Sequence, residues 1–170
     1  RDVVTLPGKK EITIPRAFAV GFPNGHNILF DLDTASVRAW TAGDFAQQRT
    51  QGKSWFWDLV GTPMMTSAGP ESDFIISSHD GKIPFFPSPE ATVALRHARR
   101  DDDGAVSFEY EISWPAFGEN DPMDRVQIQE AWRPEERGWR RRVRILHYDP
   151  EDAVLAFRIW PAGSRNDEFQ

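Results

Sequence analysis

Between residues 105 and 114 the chain reads AVSFEYEISW, with Val106, Phe108, Tyr110 and Ile112 alternating strictly with Ser107, Glu109, Glu111 and Ser113. A period of two puts the first set on a buried face and the second in water, the pattern of a half-covered strand. Just upstream, ATVALRHARR (91–100) leads into DDDG (101–104), a charged turn closed by glycine, so the two runs are predicted to form a hairpin. The same grammar recurs in RVQIQEAW (125–132), RPEERG (133–138) and WRRRVRILHY (139–148), a second hairpin with RPEERG as its turn. HNILFDL (26–32) and SVRAWTA (36–42) flank Asp33, Thr34 and Ala35, while KEITIPRAFAVGF (10–22) and DFIISS (73–78) are further strand candidates. AVLAFRIW (153–160) is apolar on both sides, as expected of a strand covered on both faces. The reading gives about eight strands. The best helix candidate is DFAQQR (44–49), only a turn or two long, and residues 50–70, rich in Gly, Ser, Thr and Pro, read as a long loop. The predicted fold is therefore an all-β antiparallel β-sandwich with very little helix, a β-barrel being the second choice.

Composition narrows what such a fold can do. At 170 residues and 39% hydrophobic content the chain suffices for one domain with a real core, and no composition break marks a second. The opening Arg1 and the polar run GSRNDEFQ (163–170) lead to the expectation of a domain cut from a longer multidomain chain. A formal net charge of −6 opposes a general role with nucleic acid or an anionic membrane surface, since both demand dense cationic surface. No apolar run approaches the roughly 20 residues of a membrane span, so no membrane insertion is expected. The absence of cysteine excludes disulfides, thiolate catalysis and cysteine-ligated metal within this chain.

The residues that carry chemistry are thinly spread. Glu109 and Glu111 lie two apart on one strand face, roughly 7 Å between side chains by strand geometry, a separation that glycosidase carboxylate pairs use. The neighbouring hairpin sets Arg140, Arg142 and Arg144 on one face, so ion pairing across a solvated sheet is the plainer expectation for the same glutamates. His26, His79, His97 and His147 show no metal-ligand spacing. Ser78, His79 and Asp80 are adjacent in a turn-like SSHDGK (77–82), and FPNG (22–25) is a turn signature without the strand-loop-helix setting of a phosphate cradle. No catalytic residue, metal site or cofactor is assigned.

Aromatic residues are the stronger signal. Seven tryptophans exceed what a core of this size needs, and exposed rings can stack on the apolar face of a sugar while polar neighbours bond its hydroxyls. Trp40, Trp114, Trp132 and Trp160 sit in or at the ends of apolar strands and read as core. In GKSWFWDLVG (52–61), Trp55, Phe56, Trp57 and Asp58 stand in the presumed loop, and they form the candidate ligand-binding site. The competing expectation is that these rings fold over an open end of the sandwich as a lid on the core.

The run IPRAFAVGFPNGHNILFDLDTASVRAWTAGDF (14–45), with Phe30–Asp31 ending one strand, Ala39–Trp40 and Gly43 in the next, and AVSFEYEIS (105–113) further on, resembles a β-domain of large exported bacterial proteins. In those proteins the domain accompanies c-type cytochrome modules and glucose/sorbosone-dehydrogenase-like propellers. The resemblance implies an extracytoplasmic setting, periplasmic or secreted, and a module accessory to a protein acting on sugars or related alcohols, with the haem motif elsewhere. The combined expectation is a noncatalytic module that binds a ligand, carbohydrate favoured, or packs against neighbouring domains of the same protein. A carbohydrate-active hydrolase using the paired carboxylates is the other reading.

Overall fold

The computed structural model describes residues 3–5, 13–48, 56–67, 69, 71–116, 123–148 and 153–158. Among these residues the chain is all-β and contains no helix and no closed barrel. The strands are β1 (Val3–Thr5), β2 (Thr13–Ile14), β3 (Ala17–Gly21), β4 (His26–Asp31), β5 (Ser36–Ala42), β6 (Ala46–Gln48), β7 (Phe56–Leu59) and β8 (Thr62–Thr66). They continue with β9 (Phe74–Ser78), β10 (Pro84–Phe86), β11 (Thr92–Arg100), β12 (Val106–Trp114), β13 (Asp124–Glu135), β14 (Gly138–Tyr148) and β15 (Ala153–Phe157). The chain divides into two compact units, one holding the described residues up to Glu71 and the other Ser72–Arg158. Each unit contains two sheets.

In the first unit one sheet has the order β2-β1-β7-β6 and the other β3-β4-β5-β8. Ile14 and Leu59 from the former pack with Leu29 and Ala39 from the latter, so the two sheets share a core. Neighbours are antiparallel except β1 and β7, which run parallel. β4 is the central strand: Asn27 to Asp31 are all buried, which is why HNILFDL shows a continuous rather than alternating pattern. The turn at FPNG forms as read, with Gly25 at φ 80° and the Phe22 amide donating to the His26 carbonyl.

In the second unit a meander β11-β12-β13-β14 faces the sheet β10-β9-β15. The Phe74 ring meets Tyr110 edge-on at 6.3 Å and Phe85 stacks on Trp114 at 6.2 Å, joining the two sheets. In both units a hairpin (β1–β2 or β9–β10) and a run of antiparallel strands precede a strand that returns beside the first (β7 or β15), but in the first unit β6 joins the sheet of the return strand and β8, after it, completes the other sheet beside β5. The return strand runs parallel in the first unit and antiparallel in the second.

Several expectations change. The described part of DFAQQR, residues 44–48, is not helical: Ala46, Gln47 and Gln48 pair with Leu59, Asp58 and Trp57, because a segment this short cannot nucleate a helix against an available sheet edge. The presumed loop at 50–70 carries two strands, β7 and β8. The second hairpin turn shrinks to Glu136 and Arg137, since Arg133, Pro134 and Glu135 still pair with Arg140, Trp139 and Gly138. In AVLAFRIW the strand ends at Phe157, and Val154 and Phe157 are 40% and 42% exposed, so β15 is not covered on both faces. Among the described residues the count is fifteen strands rather than about eight, because strands of two to five residues leave no periodicity to read.

Candidate functional site

Of the proposed aromatic site, Trp55 lies outside the described residues, and Phe56 is placed only as the first residue of β7. Trp57 and Leu59 point to one side of β7, and Asp58, half-buried and paired in register with Gln47, to the other. Trp57 is half-buried and packs against the cluster of Ile14, Leu29, Ala39 and Leu59. Its remaining surface lines a cavity of about 300 Å³ together with Ala17, Phe18 and Ala19 of β3, Phe45 and Ala46 at the head of β6, and Leu59. The lining thus groups Trp57 with two rings that sequence reasoning passed over, Phe18 and Phe45, and separates Asp58 from it.

Phe45 is 40% exposed, yet the backbone around it is tightly held. The buried Asn27 amide donates to the Gly43 and Asp44 carbonyls at 3.1 and 3.2 Å, tying down the residues just before the ring. Gly21 lies beneath, where a Cβ would come within 3.0 Å of the Phe45 ring. Gly61 backs the same turn, where a Cβ would stand 2.8 Å from the Ala42 and Asp44 carbonyl oxygens. The cavity lining contains no acid, base or nucleophile, and its chemistry is stacking and apolar contact.

The glutamate pair sits in the second unit, on the outward face of the meander. Register places His97, Glu109, Gln129 and Arg144 in one row and Ala94, Glu111, Gln127 and His147 in the next. The partners differ from expectation: β13 stands between β12 and the arginines of β14, so Glu109 accepts from Gln129 at 2.8 Å, and Glu111 from Gln127 at 3.2 Å and Arg96 at 2.7 Å. Arg96 reaches Glu111 because it occupies a bulge between Leu95 and His97. Glu111 is only 7% exposed despite facing outward. Burial pushes its pKa up, but the bonds from Arg96 and Gln127 and the Arg125 charge outweigh this and hold it below the ordinary glutamate value. A carboxylate kept ionised in this way accepts hydrogen bonds and does not serve as a general acid at neutral pH.

A polar cluster that was not anticipated lies in the core of the same unit. Glu130 is fully buried and receives Arg141 in bidentate fashion, Nε to Oε2 and Nη2 to Oε1, each at 2.7 Å. Trp132 Nε1 and the Tyr110 hydroxyl donate to the same carboxylate at 2.7 and 2.8 Å, and Arg141 Nη1 donates onward to Asp73, beside β9 of the opposite sheet. Burial disfavours the Arg141 charge, but Glu130 and Asp73 more than compensate, and its pKa is raised. Burial, then the Glu130 charge, also pushes the Tyr110 hydroxyl well above its ordinary value, so it remains a donor. The sequence did carry a sign of this cluster, since Glu130 interrupts the apolar register Val126, Ile128, Trp132.

The remaining candidates resolve into structure. The Ser78 hydroxyl donates to Asp80 at 2.7 Å within a turn closed by Gly81, and Lys82, then Ser78, draw the Asp80 pKa down to about 2. Trp40 is half-buried rather than core, its Nε1 donating to His26 Nδ1 at 3.0 Å, whereas Trp114 and Trp132 are buried; Trp160 lies outside the described residues. Among the described residues no group of three or more His, Asp or Glu is placed to hold a metal ion, and no helix is long and apolar enough to cross a membrane. Comparison with protein-family models, with curated proteins and with solved structures found no match.

Proposed function

We propose that this chain is a noncatalytic ligand-binding β module, accessory to a larger exported protein, and that its ligand class is carbohydrate. The observation that carries the reading is the cavity at which Phe18, Phe45 and Trp57 converge. Aromatic rings held on a fixed backbone offer the face on which a sugar ring stacks, while Asp44 and Gln47, exposed on either side of Phe45–Ala46, supply acceptors and donors for hydroxyls. A lining without acid, base or nucleophile favours recognition over turnover. The glutamates of β12 lie in the other unit from this cavity, and both are hydrogen-bonded within their own sheet, Glu109 by Gln129 and Glu111 by Arg96 and Gln127.

The test is a glycan panel against the full chain, followed by alanine variants. Phe45→Ala is expected to weaken a panel hit by about 1–3 kcal/mol while lowering the melting temperature less than removal of a fully buried ring would, since Phe45 is 40% exposed. Glu109→Gln with Glu111→Gln is expected to leave that binding intact. A wild-type chain that binds no glycan, or a hydrolytic activity lost in the double glutamate variant, overturns the proposal.

A further inference from the structure

The long strand β14 forms one edge of the meander, with no strand beyond it among the described residues. An unpaired edge offers a row of backbone donors and acceptors, and its side chains determine what is allowed to use them. From Trp139 to Ile145 the register with β13 is unbroken, so this stretch is straight enough to serve as a template. Alternation then divides it into two codes. Arg140, Arg142 and Arg144 face outward, and Arg140 is engaged by Glu135 at 2.6 Å. Arg142 and Arg144 are exposed and form no ion pair among the described residues. Val143 and Ile145 face the inner side, opposite Glu130 and Ile128. Both are incompletely covered, and Ile145 is 41% exposed.

From these two rows we infer that the β14 edge is a docking site for an extended peptide segment whose side chains alternate between acidic and apolar. Added as a further strand, such a segment sets carboxylates beside Arg142 and Arg144 on the outward face and apolar side chains beside Val143 and Ile145 on the inward face. The charges decide between occupants. A second copy of this chain pairing through the same edge would bring arginines against arginines, which like-charge repulsion disfavours. A segment alternating basic and apolar fails for the same reason.

The test uses the full chain and capped peptides of about seven residues, a typical strand length, alternating either Glu with Val or Lys with Val. The Glu–Val peptide is expected to bind, to slow amide hydrogen exchange across residues 139–145, and to weaken several-fold as salt rises from about 0.05 to 0.5 M. The Lys–Val peptide is expected not to bind. Arg142→Glu with Arg144→Glu, at two exposed positions, should reduce Glu–Val binding at least about tenfold and admit the Lys–Val peptide. Equal binding of the two peptides, protection elsewhere than β14, or no Glu–Val binding at about 1 mM overturns the inference; in the last case the arginines only keep the edge clear. Concentration-dependent self-association that Val143→Lys abolishes overturns it as well, since the edge would then belong to a second copy.

Discussion

Phe45 and Trp57 line one cavity but differ in what else they touch. Phe45 contributes little to the core, whereas Trp57 also rests on Ile14, Leu29, Ala39 and Leu59. Trp57→Ala should therefore lower stability by about 2–3 kcal/mol, below the usual penalty for a fully buried tryptophan, as well as weakening any ligand; chemical denaturation of the variant measures it. Arg141 presents the opposite case, a side chain whose value is electrostatic. Arg141→Met leaves Glu130 and Asp73 buried without their cation and should cost about 3–5 kcal/mol. Urea unfolding of the variant beside wild type measures the loss.

At the scale of elements, pairing overrides local preference. β6 is a strand because β7 lies beside it, and the turn that precedes it depends on a close approach at Gly61. Gly61→Ala drives a Cβ into two carbonyl oxygens and should destabilise by about 1–3 kcal/mol; a melting temperature equal to wild type would mean the β5–β6 turn is free to move aside. Glu111 belongs to this scale too, since its carboxylate links three strands through Arg96 and Gln127. Its folded pKa is depressed, so its contribution is present above the ordinary glutamate value and is lost as pH falls through the lowered one. Wild type and Glu111→Gln should differ in stability at neutral pH and draw together as pH falls below the ordinary glutamate value.

For the whole molecule the expectation is a far-UV circular dichroism spectrum of β type, without the double minimum of helix, because every described element is a strand. Each unit sets two sheets around its own core, and each core is closed differently. Aliphatic packing of Ile14, Leu29, Ala39 and Leu59 joins the sheets of the first unit. Aromatic contacts and the Arg141 network join those of the second.

The alternation in AVSFEYEISW and the turns DDDG and FPNG were legible in the sequence because period and turn chemistry are local properties, set within a few residues. The same holds for the outward placement of Arg140, Arg142 and Arg144, which depends only on the pleat. What the sequence did not determine is which strand stands next to which. That order put β13 between the glutamates and the arginines expected to pair with them, and gave Glu111 to Arg96 through a bulge. It also brought Phe18, Phe45 and Trp57, far apart along the chain, around one cavity, while turning Asp58 away. Pairing partners are chosen by long-range contacts whose loop-closure entropy and burial are summed over the whole fold, so only the tertiary structure decides them.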